Sequence, residues 1–336
     1  MQKKILVLYT GGTIGMDYLD GGISLVPGLF KSQLDKLAKI SHIDYTLIEY
    51  TNIIDSSEIN LTNYQQITQD VIDNYAIYDG FVIVHGTDTM AYTASMLSFA
   101  LHGLHKPVIL TGAQLPLVHI RSDGWNNLIN AFYAAAQEDL HEVAVSFNYK
   151  LFRGNRTQKI STSRFLGFNS LEAEPLADFG MSIRWNRKNW FCSPNEFKPI
   201  IPQDFRILDL SMRPGFTTEF IADTLANTEL RLDGVILQTY GSGNLPIKHT
   251  KLINAIEKAI TSGVNIINIT QVIEGRVTED YATSKIYQTG IINGKDMTVE
   301  AAIAKLTILK SLGLSNQDIQ KEIGINYAGE LTEKII

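Results

Sequence analysis

At 336 residues, with 45% hydrophobic and 19% charged side chains, the chain is long enough for two domains with ample core. Its net charge of -6, without a stripe of five or more like charges, excludes a general nucleic-acid binder, which needs clustered Lys and Arg. The single cysteine, Cys192, excludes an intrachain disulfide and points to a reducing compartment.

The apolar run after Met1-Gln2-Lys3-Lys4 is cut short by Gly11-Gly12, too early for a signal-peptide core. No segment approaches the roughly 18 apolar residues of a membrane helix. A cytoplasmic protein with no membrane partner is expected, its first strand beginning almost at residue 1. That strand, Ile5-Leu6-Val7-Leu8, is a continuous apolar run of the kind buried on both faces of a parallel sheet, and it ends in Thr10-Gly11-Gly12-Thr13-Ile14-Gly15. A second strand is expected over 45–50. A helix over 62–78 carries Ile67, Val71, Ile72 and Tyr75 on one face. The strand Phe81-Val82-Ile83-Val84 runs into His85-Gly86-Thr87-Asp88-Thr89. A helix over 90–102, a strand over 108–110, a helix over 123–139 and a strand over 143–147 follow. This alternation predicts a larger N-terminal domain around a doubly wound, mostly parallel sheet.

Around 185–202 the pattern breaks: Pro194, Pro199 and Pro202 fall among Asn186, Asn189 and Asn195. The expected organisation is therefore an N-terminal α/β domain over 1–185, a linker over 186–204 and a smaller C-terminal α/β domain over 205–336. In the last of these, strands over 206–210, 235–238 and 264–269 alternate with helices over 218–226 and 250–262. Two final helices begin near Thr298 and Ser315, where Asp318 three residues on completes a helix-start signature.

In open α/β sheets, ligand crevices lie beyond the carboxyl ends of the parallel strands. Thr10 to Gly15 is at such an end, but it matches neither the dinucleotide fingerprint nor the phosphate-binding loop. Alone it reads equally as a tight turn with Thr13 as a helix cap. Gly241-Ser242-Gly243-Asn244 has the same double reading. In the turn over 85–89, the Asp88 carboxylate could bind an ammonium group and backbone N–H groups could hold an oxyanion, or Asp88 or Thr89 caps the next helix. Lys159, in Arg153-Gly154-Asn155-Arg156-Thr157-Gln158-Lys159, is either a base for a threonine hydroxyl or a solvated surface lysine. Asp55-Ser56-Ser57-Glu58 suits a carboxylate ligand or a cap for the helix beyond it. The chain has no Gly-x-Ser-x-Gly elbow, no His-Glu-x-x-His and no Cys-x-x-Cys.

Taken in order, Thr10 to Gly15, His85-Gly86-Thr87-Asp88-Thr89-Met90 and Arg153 to Lys159 resemble the bacterial L-asparaginases, with the closest likeness to the cytoplasmic type I enzymes. The likeness extends through Asp55-Ser56-Ser57, Leu110-Thr111-Gly112-Ala113-Gln114, Arg121-Ser122-Asp123-Gly124, Tyr240 to Asn244 and Asp296-Met297-Thr298-Val299-Glu300, essentially the whole chain. The resemblance implies hydrolysis of L-asparagine to L-aspartate and ammonia by threonine nucleophilic catalysis, with no metal or organic cofactor. It makes Thr13 the first nucleophile, on a loop that closes over the substrate, and Thr87, Asp88 and Lys159 a second triad. It assigns the substrate α-ammonium to Asp88, the α-carboxylate to Asp55, Ser56 and Ser57, and the side-chain amide to the backbone of Thr87 and Ala113.

The same likeness implies a homodimer or dimer of dimers in which Asn244 and Tyr281 reach into a partner's site. One departure stands out. Many relatives carry a loop tyrosine that activates the first threonine, and the aligned position here is Ile23. Tyr18 is the only tyrosine of that loop, so Tyr18 or Tyr281 is expected to assist Thr13. Gln238 and Val272 do not match the regulatory asparagine site of some type I enzymes, and allostery is not expected. The nearest rivals are an amidotransferase subunit acting on aminoacylated tRNA, which normally carries a further N-terminal domain, and an inactive amino-acid sensor, at odds with the presence of Thr13, Thr87, Asp88 and Lys159. A preference for glutamine stays open, since one methylene in a pocket is worth only about 1–3 kcal/mol.

Overall fold

The structure, a computed structural model, describes residues 2–19, 22–36, 43–170, 173–278 and 282–332. The chain divides into two compact units, Met1–Ile201 and Pro202–Ile336.

In the first unit the elements are β1 (Lys3–Gly11), β2 (Met16–Leu19), β3 (Gly22–Leu25), α1 (Leu29–Leu34), β4 (Ile43–Ile54), α2 (Leu61–Asn74), β5 (Gly80–Val84), α3 (Met90–Ala100), β6 (Val108–Thr111), α4 (Gly124–Ala135), β7 (Val143–Phe147), β8 (Lys150–Arg153), β9 (Gln158–Lys159), β10 (Phe168–Asn169), β11 (Ala177–Phe179) and β12 (Ile183–Trp185). Eight strands form one sheet in the order β12-β11-β8-β7-β6-β5-β1-β4. The run from β4 to β7 is parallel, whereas β8, β11 and β12 pair antiparallel. The alternation along β1 explains why both faces are covered. Ile5, Val7 and Tyr9 pack with Val82, Val84, Phe30, Leu128 and Phe132 on one side. Leu6 and Leu8 pack with Phe81, Ile83, Val71 and Leu97 on the other. Each such fully buried side chain contributes about 1.5–3 kcal/mol. Strand β4, at the edge, alternates between partly buried and exposed residues over 43–49, with Tyr50 buried, as an edge strand should.

Helix α2 begins at a capping box in which the Asn60 side chain accepts from the Asn63 backbone and Asn63 answers at Asn60. The stretch over 186–204 expected as a linker lies in both units, which divide between Ile201 and Pro202. Its first part is strapped to the sheet domain: Trp190 Nε1 donates to Leu176 O (3.0 Å), and Arg153 Nη2 to Asn189 O (2.6 Å). Phe197 stacks on Tyr75 at 3.8 Å, and Ile200 N donates to Ala100 O (2.7 Å).

The second unit holds β13 (Ile207–Ser211), α5 (Thr218–Ala226), β14 (Gly234–Thr239), α6 (Thr250–Thr261), β15 (Asn265–Thr270), β16 (Ile292–Asn293), α7 (Val299–Ser311) and α8 (Asn316–Glu322). Its four strands are parallel in the order β13-β14-β15-β16. Thr298 and Ser315 cap α7 and α8 with their side chains. Beyond α8 the chain is tied down by a fully buried ion pair, Lys305 to Glu330 at 2.6 Å, with Lys305 also donating to Ile323 O.

Candidate active site

Three turns at the carboxyl ends of β1, β4 and β5 meet in the first unit, and they meet at backbone. Gly12 (φ 91°) lies against Gly86, so closely that a Cβ on Gly12 would fall 2.5 Å from Gly86 Cα. A Cβ on Gly86 would fall 2.5 Å from Ser56 Oγ. Side chains at either glycine would force the turns apart, which is the physical reason for glycine at both. Thr10 Oγ1 donates to Val84 O (3.0 Å), tying the ends of β1 and β5 together.

Thr87 is buried on the turn after β5, and Asp88 beside it is 62% exposed through its side chain. Lys159 Nζ donates to both, 2.9 Å to Thr87 Oγ1 and 2.5 Å to Asp88 Oδ1. The lysine reaches them because β8 ends in a short turn over Gly154–Arg156, with Asn155, Arg156 and Thr157 buried, and Lys159 then pairs with Phe168. It is no solvated surface lysine: only 17% of its side chain is exposed.

Ser56 is buried; Asp88 N donates to its Oγ (3.3 Å) and Thr89 Oγ1 to its carbonyl (2.7 Å). Thr89 is the N-cap residue of α3 yet makes no side-chain cap bond, its hydroxyl going to Ser56 instead. Asp55 does cap, accepting from Ser57 N (3.0 Å) and Ser57 Oγ (2.9 Å). Ala113 follows β6 and is 1% exposed.

Thr13 opens a single 3-10 turn over Thr13–Gly15, closed by Gly15 N donating to Gly12 O (3.1 Å). From there the chain enters the β2–β3 hairpin. Tyr18 is half exposed on it, its ring 5.9 Å from that of His119. In this register Tyr18 sits directly across from Ile23. Cross-strand partners share a face, so this tyrosine occupies the place next to the one the resemblance assigns.

Asn244 lies in the second unit, in the turn after β14, where it bridges back to Tyr240. Tyr281 lies outside the described residues.

Two residues in the site's foundations were not singled out from sequence. His85 is fully buried; its Nδ1 donates to Gly86 O (2.7 Å), so its Nε2 is the acceptor for Thr93 Oγ1 (3.0 Å). Burial pushes its pKa down to about 4, leaving the ring neutral near pH 7. Tyr9 is buried beneath the first turn, and burial followed by the Glu49 charge holds its phenol well above the ordinary value, so it is no base for Thr13. Nothing in local sequence separates Tyr9 from its apolar neighbours in β1, because its role depends on what packs over it.

Among the described residues no group of three or more His, Cys, Asp or Glu side chains could hold a metal ion, and no helix is long and apolar enough to cross a membrane.

Comparison with known proteins agrees with this arrangement. The family model described as asparaginase, N-terminal, matches residues 4–191, and that of the glutaminase/asparaginase C-terminal domain matches residues 206–322. L-asparaginase 1 of Escherichia coli K12 is 41% identical over 99% of both chains. The crystal structure of L-asparaginase I from Vibrio cholerae superposes with a TM-score of 0.90 at 38% identity, covering 99% of this chain and 100% of that one. The L-asparaginase of Thermococcus kodakarensis is 30% identical over 98% of this chain and 99% of its own. With sheet order, converging turns and both domain models in accord, the chain belongs to the asparaginase family.

Proposed function

We propose that this chain hydrolyses the side-chain amide of L-asparagine, giving L-aspartate and ammonia, with Thr13 as nucleophile and Thr87, Asp88 and Lys159 as the second group of catalytic residues. The observation that carries the reading is the reach of one lysine to a threonine hydroxyl and a carboxylate at once. Because the Asp88 side chain is 62% exposed, a second cation, the substrate α-ammonium, can also reach its carboxylate. Ser56 and its neighbours Asp55 and Ser57 receive the α-carboxylate through the hydroxyl and backbone N–H groups of their turn, which the Asp55 carboxylate holds in shape. The Thr87 and Ala113 backbones hold the amide.

The Thr13 hydroxyl oxygen bonds to the amide carbon and its proton goes to the amide nitrogen. The C–N bond then breaks, ammonia leaves, and an aspartyl ester remains on Thr13. Thr87, its hydroxyl tuned by Lys159, activates the water that attacks the ester. L-Aspartate departs and the Thr13 hydroxyl is restored. Holding the substrate by both α-groups supplies the orientation that a neutral, unreactive amide needs.

In the same reading the enzyme is cytoplasmic and works as a homodimer or dimer of dimers, with Asn244 and Tyr281 completing a partner's site and Tyr18 or Tyr281 assisting Thr13. Tyr18→Phe and Tyr281→Phe, singly and together, test the assistance: near-normal turnover in all three variants ends that idea. The central test is ammonia release from L-asparagine, L-glutamine and D-asparagine by the wild type and by Thr13→Ala and Thr87→Ala. Asparagine turnover by the wild type and its loss in both folded variants is expected. A folded wild type that turns over no amide overturns the proposal.

A further inference from the structure

The turn that carries Ala113 is held at both ends by two side chains one helical turn apart at the start of α4. Upstream, Asn127 Nδ2 donates to Gly112 O (3.0 Å). Downstream, Gln114 N donates to both Asp123 oxygens (3.0 and 3.1 Å) and Leu115 N to Asp123 Oδ1 (3.1 Å). The two side chains are joined to each other, Asn127 Nδ2 to Asp123 Oδ2 at 3.1 Å. Asn127 is in turn fixed from the far side: it is 1% exposed and its Oδ1 accepts from Asn148 N (3.0 Å).

Asp123 is the N-cap residue of α4, but its carboxylate makes no cap bond to that helix. Every group it meets is a donor: Gln114 N and Leu115 N on the neighbouring turn, the Asn127 amide and its own backbone N–H. Between the clamped ends, the Ala113 N–H and C=O have no hydrogen-bond partner among the described residues, although the residue is 1% exposed. A buried peptide group left free while its neighbours are tied on both sides is a preorganised contact for something that binds.

We infer that Asp123 and Asn127 are positioning residues that aim the Ala113 peptide at the substrate's side-chain amide, so that this clamp serves recognition of the amide in particular. The inference rests on the asparagine reading above, which brings the substrate amide to Ala113. The Ala113 carbonyl can accept an N–H from asparagine's amide, whereas the product aspartate offers none. The two ligands share the same α-ammonium and α-carboxylate. A loosened clamp therefore weakens handling of asparagine while leaving aspartate binding at the α-groups intact.

The experiment compares kcat/KM for L-asparagine with the inhibition constant of L-aspartate in wild type, Asp123→Asn and Asn127→Ala. Asp123→Asn turns an amide donor towards backbone donors and should lower asparagine kcat/KM by about 10–100-fold, the loss expected when a reacting group is displaced by an ångström or so. Asn127→Ala removes the side-chain hydrogen bonds to Gly112, Asp123 and Asn148, and about three- to tenfold is expected. In both, the aspartate inhibition constant should move less than about twofold, a separation that damage to the whole fold would not produce. If Asp123→Asn does not fold, Asn127→Ala carries the test alone. Equal losses for asparagine and aspartate, or no loss for either, overturn the clamp while leaving asparagine hydrolysis standing. A wild type that releases no ammonia overturns the functional reading and the clamp with it.

Discussion

The two threonine turns of the site are built to opposite specifications. Thr87 stands on a turn whose surroundings are all tied: His85 holds Gly86, Ser56 holds Asp88 and Thr89, and Lys159 holds Thr87 itself. Thr13 stands on one turn of 3-10 helix whose continuation, the β2–β3 hairpin, pairs with no other strand among the described residues. Tyr18, Leu19 and Ile23 on it are left open to solvent. An isolated two-stranded hairpin is marginal in water, so this half belongs to the least stable part of the unit. The contrast teaches a division of labour. Thr87 and Asp88 are placed at the end of a central strand, where reorganisation is costly, while the segment that covers the substrate in the proposed function is given little to hold it still.

The largest effect should come from emptying the rigid half of its charge. Lys159→Met is expected to lower asparagine turnover by about 10²–10⁴-fold, in the range of a lost general acid–base group, with little change in Tm. Ammonia release at a wild-type rate would show that the rigid half is scaffold only.

Next comes acid stability. The folded His85 has a pKa near 4, below the ordinary 6.5, so its contribution to stability is complete above pH 6.5 and is lost as pH falls towards 4. In that window the unfolded chain binds a proton that the folded one refuses, and the loss amounts to roughly 3 kcal/mol. Urea unfolding at pH 7 and pH 4.5 measures it. His85→Asn, which keeps a donor for Gly86, should flatten the slope.

A methyl group added to the rigid half comes third. Gly86→Ala should cost about 1–3 kcal/mol through the clash with Ser56, whereas Ser24→Ala on the hairpin should stay within about 0.5 kcal/mol. Equal urea midpoints for the two variants would erase the structural contrast. The smallest effect is expected for Tyr18→Phe, a loss of less than about tenfold in turnover, because only a hydroxyl on a half-exposed side chain is removed.

Much of this architecture is legible in the residues. The apolar runs of β1, β5, β6 and β7 announce strands covered on both faces, and the helix starts at Thr298 and Ser315 carry the caps their side chains imply. Short antiparallel strands such as β11 and β12, three residues each, leave no period to read. The region over 187–201 looks patternless because its anchors, Trp190 and Phe197, dock singly onto a surface already built by other elements. Thr89 misleads for a different reason. It sits at a helix start and reads as a possible cap, but its hydroxyl goes to the neighbouring turn at Ser56, much as the Asp123 carboxylate at the start of α4 goes to Gln114 and Leu115.

The residues by themselves determined the fold class, the family and the chemical groups available, because strand burial, helix capping and the order of the glycine-threonine turns are local properties of the chain. Which groups meet was decided only by the folded sheet. Lys159 and Thr87 are 72 positions apart and Ser56 and Asp88 are 32, separations across which local pattern carries no information about distance. Neighbouring parallel strands bring such turns together at one edge, and glycines with no Cβ let the backbones close.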